Sequence, residues 1–376
     1  MNLQQQLVQY RRELHRFPEL SMQEYDTTQR IKKWLSDVGI PILDLPLETG
    51  VVAEVRGRLP GATIALRADI DALPIDEQSG VEFSSEKPGV MHACGHDFHT
   101  AAMLGAAILL QQQKEELRGT VRFLFQPAEE TAAGAKWLTE QGAMNGVQAV
   151  FGFHNRPNLS VGVIGVREGT LMAGVDHFEI TITGTSGHAG MPEKCIDPIV
   201  IGSQIVMALQ TIVSRRISSL DNVVISITRF SAGNTWNVIP GKAHLGGTVR
   251  TFQNDTRKKI PELIKSLVDN IAAANGATVK FEWTECLPMV NNSPLFTSIM
   301  KQAAEEEGLQ VVEAERSLGG EDFAYYQEMV PGFFVWIGVE GEQEWHHPAY
   351  RLSEEALDIS ARYWARLSRM VLDRWT

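Results

Sequence analysis

The sequence predicts an α/β fold with a mostly parallel central sheet and an inserted α+β unit. Three observations predict it. Short apolar or alternating runs at 51–55, 63–66, 121–125 and 149–153, some separated by helical stretches such as 98–112, give the alternating order from which parallel sheets are built. From 177 to 287 the order changes to β-α-β-β-α-β, that of a ferredoxin-like unit. After 293, helical runs at 295–308 and 354–372 flank an apolar strand at 333–339, so the first style resumes. The expected boundaries are therefore 1–176 with 288–376 for a discontinuous α/β domain, and 177–287 for the insertion. A chain of 376 residues fits this division, because a single core stops growing at roughly 250 to 300 residues.

Taken in order, Leu3, Leu7 and Leu14, then Ile31, Trp34, Leu35 and Val38, recur at helical spacing, and Pro18 separates the two helices. Inside the insertion Phe178, Ile180 and Ile182 alternate strictly as a strand does. A helix at 198–215 follows, then strands at 223–230 and 244–252, a helix at 257–274 and a strand at 278–283. No internal repeat or low-complexity segment interrupts this order.

A composition of 44% hydrophobic and 21% charged residues is that of a folded globular chain. The net charge of −12 opposes a nucleic-acid backbone and excludes that class of partner. The run 101–110 falls far short of the roughly 20 apolar residues that span a bilayer, and reads as a buried helix. The first dozen residues carry Gln4, Gln5, Gln6, Tyr10 and Arg11 where an export signal needs an apolar stretch. Three cysteines, Cys94, Cys195 and Cys286, are too few for a disulfide framework, which points to a reducing, cytoplasmic setting.

The densest chemistry is His92, Cys94, His96, Asp97 and His99 within eight positions. In an extended segment Cys94 and His96 emerge on the same side and can reach one cation. A redox-inert thiol among surface histidines fits such a cluster equally well. Glu129 and Glu130 follow the strand at 121–125 and Pro127, at a carboxyl strand end where α/β sheets keep their sites. An extended chain would send one carboxylate to a metal and the other to a substrate water. A pair complementing a helix dipole is the alternative. His154 closes the strand 149–153, and His346 and His347 lie in a loop after 333–339. Mixed sulfur, nitrogen and oxygen donors suit zinc, manganese, cobalt or nickel, and their number suits two ions, a pair able to activate water for amide hydrolysis.

Seven motifs carry a resemblance. They are RADIDALP (67–74), MHACGHD (91–97), QPAEE (126–130), GHAG (187–190), NVIP (237–240), GTVR (247–250) and GEDF (320–323). Together, in this order, the chain strongly resembles the metal-dependent aminoacylases and amidohydrolases that include hippurate hydrolase and auxin-conjugate hydrolases. The resemblance implies a catalytic domain holding two divalent transition-metal ions and an inserted lid domain that mediates homodimerisation. It implies metal ligands at Cys94, His96, Glu130, His154 and His346, with His347 as a substitute, since the family motif is His-x-Pro. It implies Glu129 as the catalytic acid and base, and His188 as a donor to the oxyanion in cis or from a partner subunit. Asn237 and Arg250 become candidates for the substrate α-carboxylate, although Arg250 also reads as a surface ion-pair residue. Asp69 and Asp71 would orient a ligand histidine or shape a turn, and Glu321 and Asp322 would lie nearby.

The expected reaction is hydrolysis of an N-acyl-L-amino acid by metal-activated water. Deacetylation of a specific biosynthetic intermediate such as N-acetyl-diaminopimelate, cleavage of a small dipeptide, and ligand binding without catalysis are the rivals. A pure binder has no use for Glu129 beside a complete ligand set.

Overall fold

The computed structural model describes residues 2–375. These residues divide into two compact units, one of 2–171, 290–315 and 321–375, the other of 172–289 with 316–320.

The larger unit is built on a seven-stranded sheet in the order Val51–Arg56, Arg118–Gln126, Leu59–Asp69, Ala149–Arg156, Gly332–Gly338, Val163–Val166, Gln310–Glu313. The second to fifth of these run parallel. The first is an antiparallel edge, and Val163–Val166 opposes Gly332–Gly338. The central strands are buried on both faces, which is why they read as unbroken apolar runs rather than alternating ones. The strand expected at 63–66 runs on to Asp69, because Arg67 and Asp69 are fully buried and continue the ladder as polar residues. Helices Leu3–Arg16, His96–Gln112 and Ala356–Arg374 pack together over the sheet. His96–Gln112 is buried along almost its whole length, as its alanine-rich, apolar sequence dictates.

That helix begins two residues earlier than the apolar spacing suggests. Gly95 adopts φ 85° and turns the chain into the helix, so Cys94, Gly95 and His96 are not an extended segment. The period-two argument for Cys94 and His96 thus gives way to a left-handed turn followed by a helix start.

The smaller unit has a four-stranded antiparallel sheet in the order Thr278–Leu287, Gly174–Thr183, Lys242–Thr251, Val223–Ala232. Helices Pro198–Thr211 and Asn254–Ala274 belong to the same unit, giving the β-α-β-β-α-β arrangement. Its own core gathers Phe178, Ile180, Ile182, Ile201, Ile205, Leu209, Ile260, Ile264 and Val268. The buried carboxylate of Asp176 is held by two hydrogen bonds from Arg257, at 2.9 and 2.6 Å. Two-residue strands Gly187–His188 and Val238–Ile239 pair beside this sheet, with His188 opposite Val238.

One segment departs from the sequence reading of apolar runs. Pro198–Arg216 is long and apolar enough, by length and composition alone, to cross a membrane. Ile201, Ile205, Leu209 and Ile212 along it are buried in the core of the smaller unit, whereas Val200 and Met207 on its outer side are 52% and 72% exposed.

Gly247 shows why glycine stands in the middle of a strand here. A Cβ at this position would lie 2.2 Å from the Ser226 carbonyl oxygen and 2.5 Å from the Phe178 ring, beside a register shift between Gly246 and Gly247. Gly247→Ala is expected to lower the stability of the whole chain by about 1–3 kcal/mol in denaturant titration, the usual cost of overpacking.

Candidate metal centre and active site

The site of the larger unit is assembled where its parallel strands end. Leu59–Asp69 delivers Asp69 and then Asp71, Arg118–Gln126 leads to Glu129 and Glu130, and Ala149–Arg156 carries His154. The MHACGHD turn brings Cys94 and His96 to the same place, and the loop after Gly332–Gly338 brings His346. Among the donor triads that result, two contain Cys94, one with His96 and His154 and one with Glu130 and His346, each with ligand atoms within 4.8 Å of one another. Cys94 is common to both. Cys94 Sγ lies 3.2 Å from His154 Nε2, His96 Nε2 3.8 Å from Glu130 Oε1, and His346 Nε2 3.5 Å from that same oxygen.

Two of the donors, His96 and His154, are aimed by a hydrogen bond from the other ring nitrogen. The Nδ1 of His96 donates to the Asp71 backbone oxygen at 2.9 Å, with Asp71 Oδ1 at 3.2 Å, which leaves Nε2 turned toward the triad. His154 Nδ1 donates to the Asn155 carbonyl at 2.8 Å. The His346 backbone N–H donates to the Ala93 carbonyl, and His346 itself sits at φ 65°. That conformation costs a non-glycine residue free energy and recurs at functional sites. The neighbouring His347 is exposed, and its Nδ1 accepts from the Ala349 backbone. Of the two histidines, His346 is the one beside Glu130.

Glu129 and Glu130 lie in a turn rather than an extended segment, after Ala128 at φ 55°. Their carboxylates stay close, with ligand atoms within 4.8 Å of each other and of His96, but their remaining neighbours differ. Glu130 faces His96, His346 and Cys94, and Glu129 shares space with Glu321 and Asp322 as well as with His96. Asp71 accepts the backbone N–H of Glu130 at 3.1 Å, and the buried Glu24 accepts that of Ala128 at 2.9 Å.

Behind these groups lies a buried charge cluster that the sequence reading did not resolve. Arg67 Nη1 donates to Asp69 at 2.7 Å and Nη2 to Asp322 at 2.8 Å, with Glu321 at 3.0 Å, while Nε donates to Gln126 at 2.8 Å. The Tyr326 hydroxyl closes the group by donating to Gln126 at 3.0 Å. Its signal in the sequence was an arginine embedded in the buried strand that opens RADIDALP. His99, named in the sequence only as part of the 92–99 cluster, also belongs here, with Nδ1 2.6 Å from Asp69.

The electrostatics call for a cation. Burial works against charge on His96, yet Asp69 and Asp71 lift its pKa to about 10. Glu129 is pushed well above the usual carboxylate range by desolvation and by Glu321 and Glu130, and Glu321 is raised to about 8 by burial against the pull of Arg67. The Cys94 thiol is held up by burial and then by Glu130 and Glu129. His96 Nε2 and Glu130 Oε1 are buried with no hydrogen-bond partner among the described residues. A divalent ion answers both conditions, since it supplies positive charge, takes those lone pairs and deprotonates the thiol.

In the smaller unit, His188 is exposed at the end of the two-residue strand Gly187–His188, and its Nδ1 accepts the Gly190 N–H at 2.9 Å. The Asn237 carbonyl accepts from Ala189, tying the two loops together. Arg250 is partly buried, and among the described residues no ion pair is found for its guanidinium.

A catalytic α/β scaffold with this donor set defines a metallohydrolase, and the chain belongs to peptidase family M20/M25/M40, whose model matches residues 65–370. It is 56% identical to an N-acetylcysteine deacetylase of Bacillus subtilis over 98% of this chain and 97% of that protein. It is 45% identical to an N-acyl-L-amino acid amidohydrolase of Geobacillus stearothermophilus over 74% of this chain and 75% of that one. Among solved structures, a dinuclear metal binding peptidase of the M20 family from Bacillus subtilis superposes with a TM-score of 0.92 at 52% identity, covering 99% of each chain.

Glu24 gives the site region a pH signature. Burial and the nearby Asp71 raise its carboxyl from 4.5 to about 7. A raised acid stabilises the fold fully below its unfolded value, and that contribution is lost as pH climbs through about 7. Replacing Glu24 with Gln is expected to flatten the decline of Tm between pH 5 and pH 8 in thermal scans; an unchanged slope would remove Glu24 as its source.

Proposed function

We propose that this chain is a metal-dependent amidohydrolase that cleaves N-acyl-L-amino acids, with short acyl groups such as acetyl foremost. The observation that carries the reading is the pair of donor triads sharing Cys94, set beside the carboxylate of Glu129, which belongs to neither. The names of the two curated relatives point to the same substrates.

Cys94, His96 and His154 would hold one divalent ion, and Cys94, Glu130 and His346 the other. When bound, such ions polarise the acyl carbonyl and make a water acidic near neutrality. Glu129 takes the proton of the attacking water and delivers it to the departing amine as the C–N bond breaks, a task suited to a carboxyl whose pKa is already raised. His188 donates to the developing oxyanion, from the same chain or a partner subunit. Its Nδ1 accepts from Gly190, so the neutral ring carries its proton on Nε2. Arg250, with no ion pair among the described residues, grips the substrate α-carboxylate, and Asn237, on the loop at the opposite end of the Lys242–Thr251 strand, is a second candidate for that group.

A homodimer through the inserted, lid-forming unit completes the reading, with the exposed Val200 and Met207 side of the 198–216 helix as its apolar contact. Met207→Glu is expected to convert dimer to monomer in light scattering; a monomeric parent chain would dispose of the dimer. Three free thiols accord with a cytoplasmic setting, and the charge of −12 with neither nucleic acid nor an anionic membrane as partner.

The test is amine release from N-acetyl, N-benzoyl and longer N-acyl amino acids, N-acetylcysteine included. It is run on chelator-stripped protein and after restoring manganese, zinc, cobalt or nickel. Release should require metal, and Glu129→Gln should lower kcat by roughly a hundredfold to ten-thousandfold with ions still bound. Turnover without metal, or retained in Glu129→Gln, would contradict the mechanism. Release from a single biosynthetic intermediate alone would favour the narrower deacetylase.

A further inference from the structure

Asn155 follows His154 on the same strand, is fully buried, and uses every hydrogen bond its side chain can make. Its Nδ2 donates to the Cys94 carbonyl at 2.6 Å and to His99 Nε2 at 2.9 Å. Its Oδ1 accepts from Trp345 Nε1 at 3.0 Å and from the Tyr350 hydroxyl. The orientation is forced, because an indole N–H only donates and a backbone carbonyl only accepts. The Asn155 backbone N–H also donates to His99 Nε2 at 2.9 Å, so that nitrogen is unprotonated and the ring proton sits on Nδ1, facing Asp69.

These partners are the neighbours of the proposed ligands. The Cys94 carbonyl belongs to the residue shared by both triads, Asn155 adjoins His154, and Trp345 immediately precedes His346. Gly95 is shaped by the same contact, since a Cβ there would come within 2.4 Å of Asn155 Nδ2. Asp69 in turn is anchored by Arg67.

We infer that Asn155 is a positioning residue that fixes the spacing of the Cys94, His154 and His346 segments, its own orientation set by the Asp69–His99 pair. The inference rests on the two-ion reading above. Asn155→Asp replaces two donated bonds with lone pairs facing the Cys94 carbonyl and His99. Tyr350→Phe and Trp345→Phe each remove one donor to Oδ1 and keep an aromatic ring in place.

The test loads metal-free protein with cobalt(II) and reads three quantities for each variant. These are affinity by competition with a chromophoric chelator, the thiolate-to-cobalt charge-transfer band, and Tm without metal. Asn155→Asp should bind cobalt roughly 10- to 100-fold more weakly, the usual effect of losing a group that orients ligands. Tyr350→Phe should bind several-fold more weakly with a shifted band, while the metal-free Tm moves little. Variants that lose Tm but keep the parent's affinity and band would make Asn155 merely structural and overturn the inference alone. Failure of the unsubstituted chain to bind cobalt would overturn the two-ion reading, and this inference with it.

Discussion

The structure of the site depends on one electrostatic constraint. Asp69, Asp71, Glu129, Glu130, Glu321 and Asp322 converge where the parallel strands end, and Arg67 is the guanidinium buried among them. A buried carboxylate is costly unless paired or protonated. Arg67 answers for the inner group, touching Asp69, Glu321 and Asp322. The outer group has His96 and, in the proposed function, two cations. The raised Glu129 and Glu321 are the residue of this arithmetic, and they place a proton-holding carboxyl at the edge of the donor set.

Much of the fold was legible because its signals are local. Two-sided burial makes the central strands continuous apolar runs, and one-sided exposure makes the Gly174–Thr183 strand alternate, so the change of style marks the insertion. The candidate donors were named through motif resemblance, and the fold brings Cys94, His96, Glu130, His154 and His346 into two contiguous triads. What periodicity could not give was the backbone between them. A left-handed Gly95 and a left-handed Ala128 redirect the chain, and φ is invisible to a pattern that counts apolar spacing.

The supporting residues were hidden for a different reason. Arg67, Gln126, Asn155 and Tyr326 act through partners up to 255 positions away, and no local pattern encodes such pairing. Glu24 is similar, a buried acid 104 positions from the Ala128 amide that it holds. Only the oddity of polar residues in buried strands marks them, as with the arginine before Asp69 and the asparagine after His154.

The sulfur common to both triads sets a vulnerability. If one thiolate serves two ions, a single oxidation to the sulfinic state removes a ligand from each, and the whole centre is lost in one chemical event rather than two. The protonated thiol of the metal-free protein is a poor nucleophile, so burial and the surrounding acids double as antioxidant protection until the ions arrive.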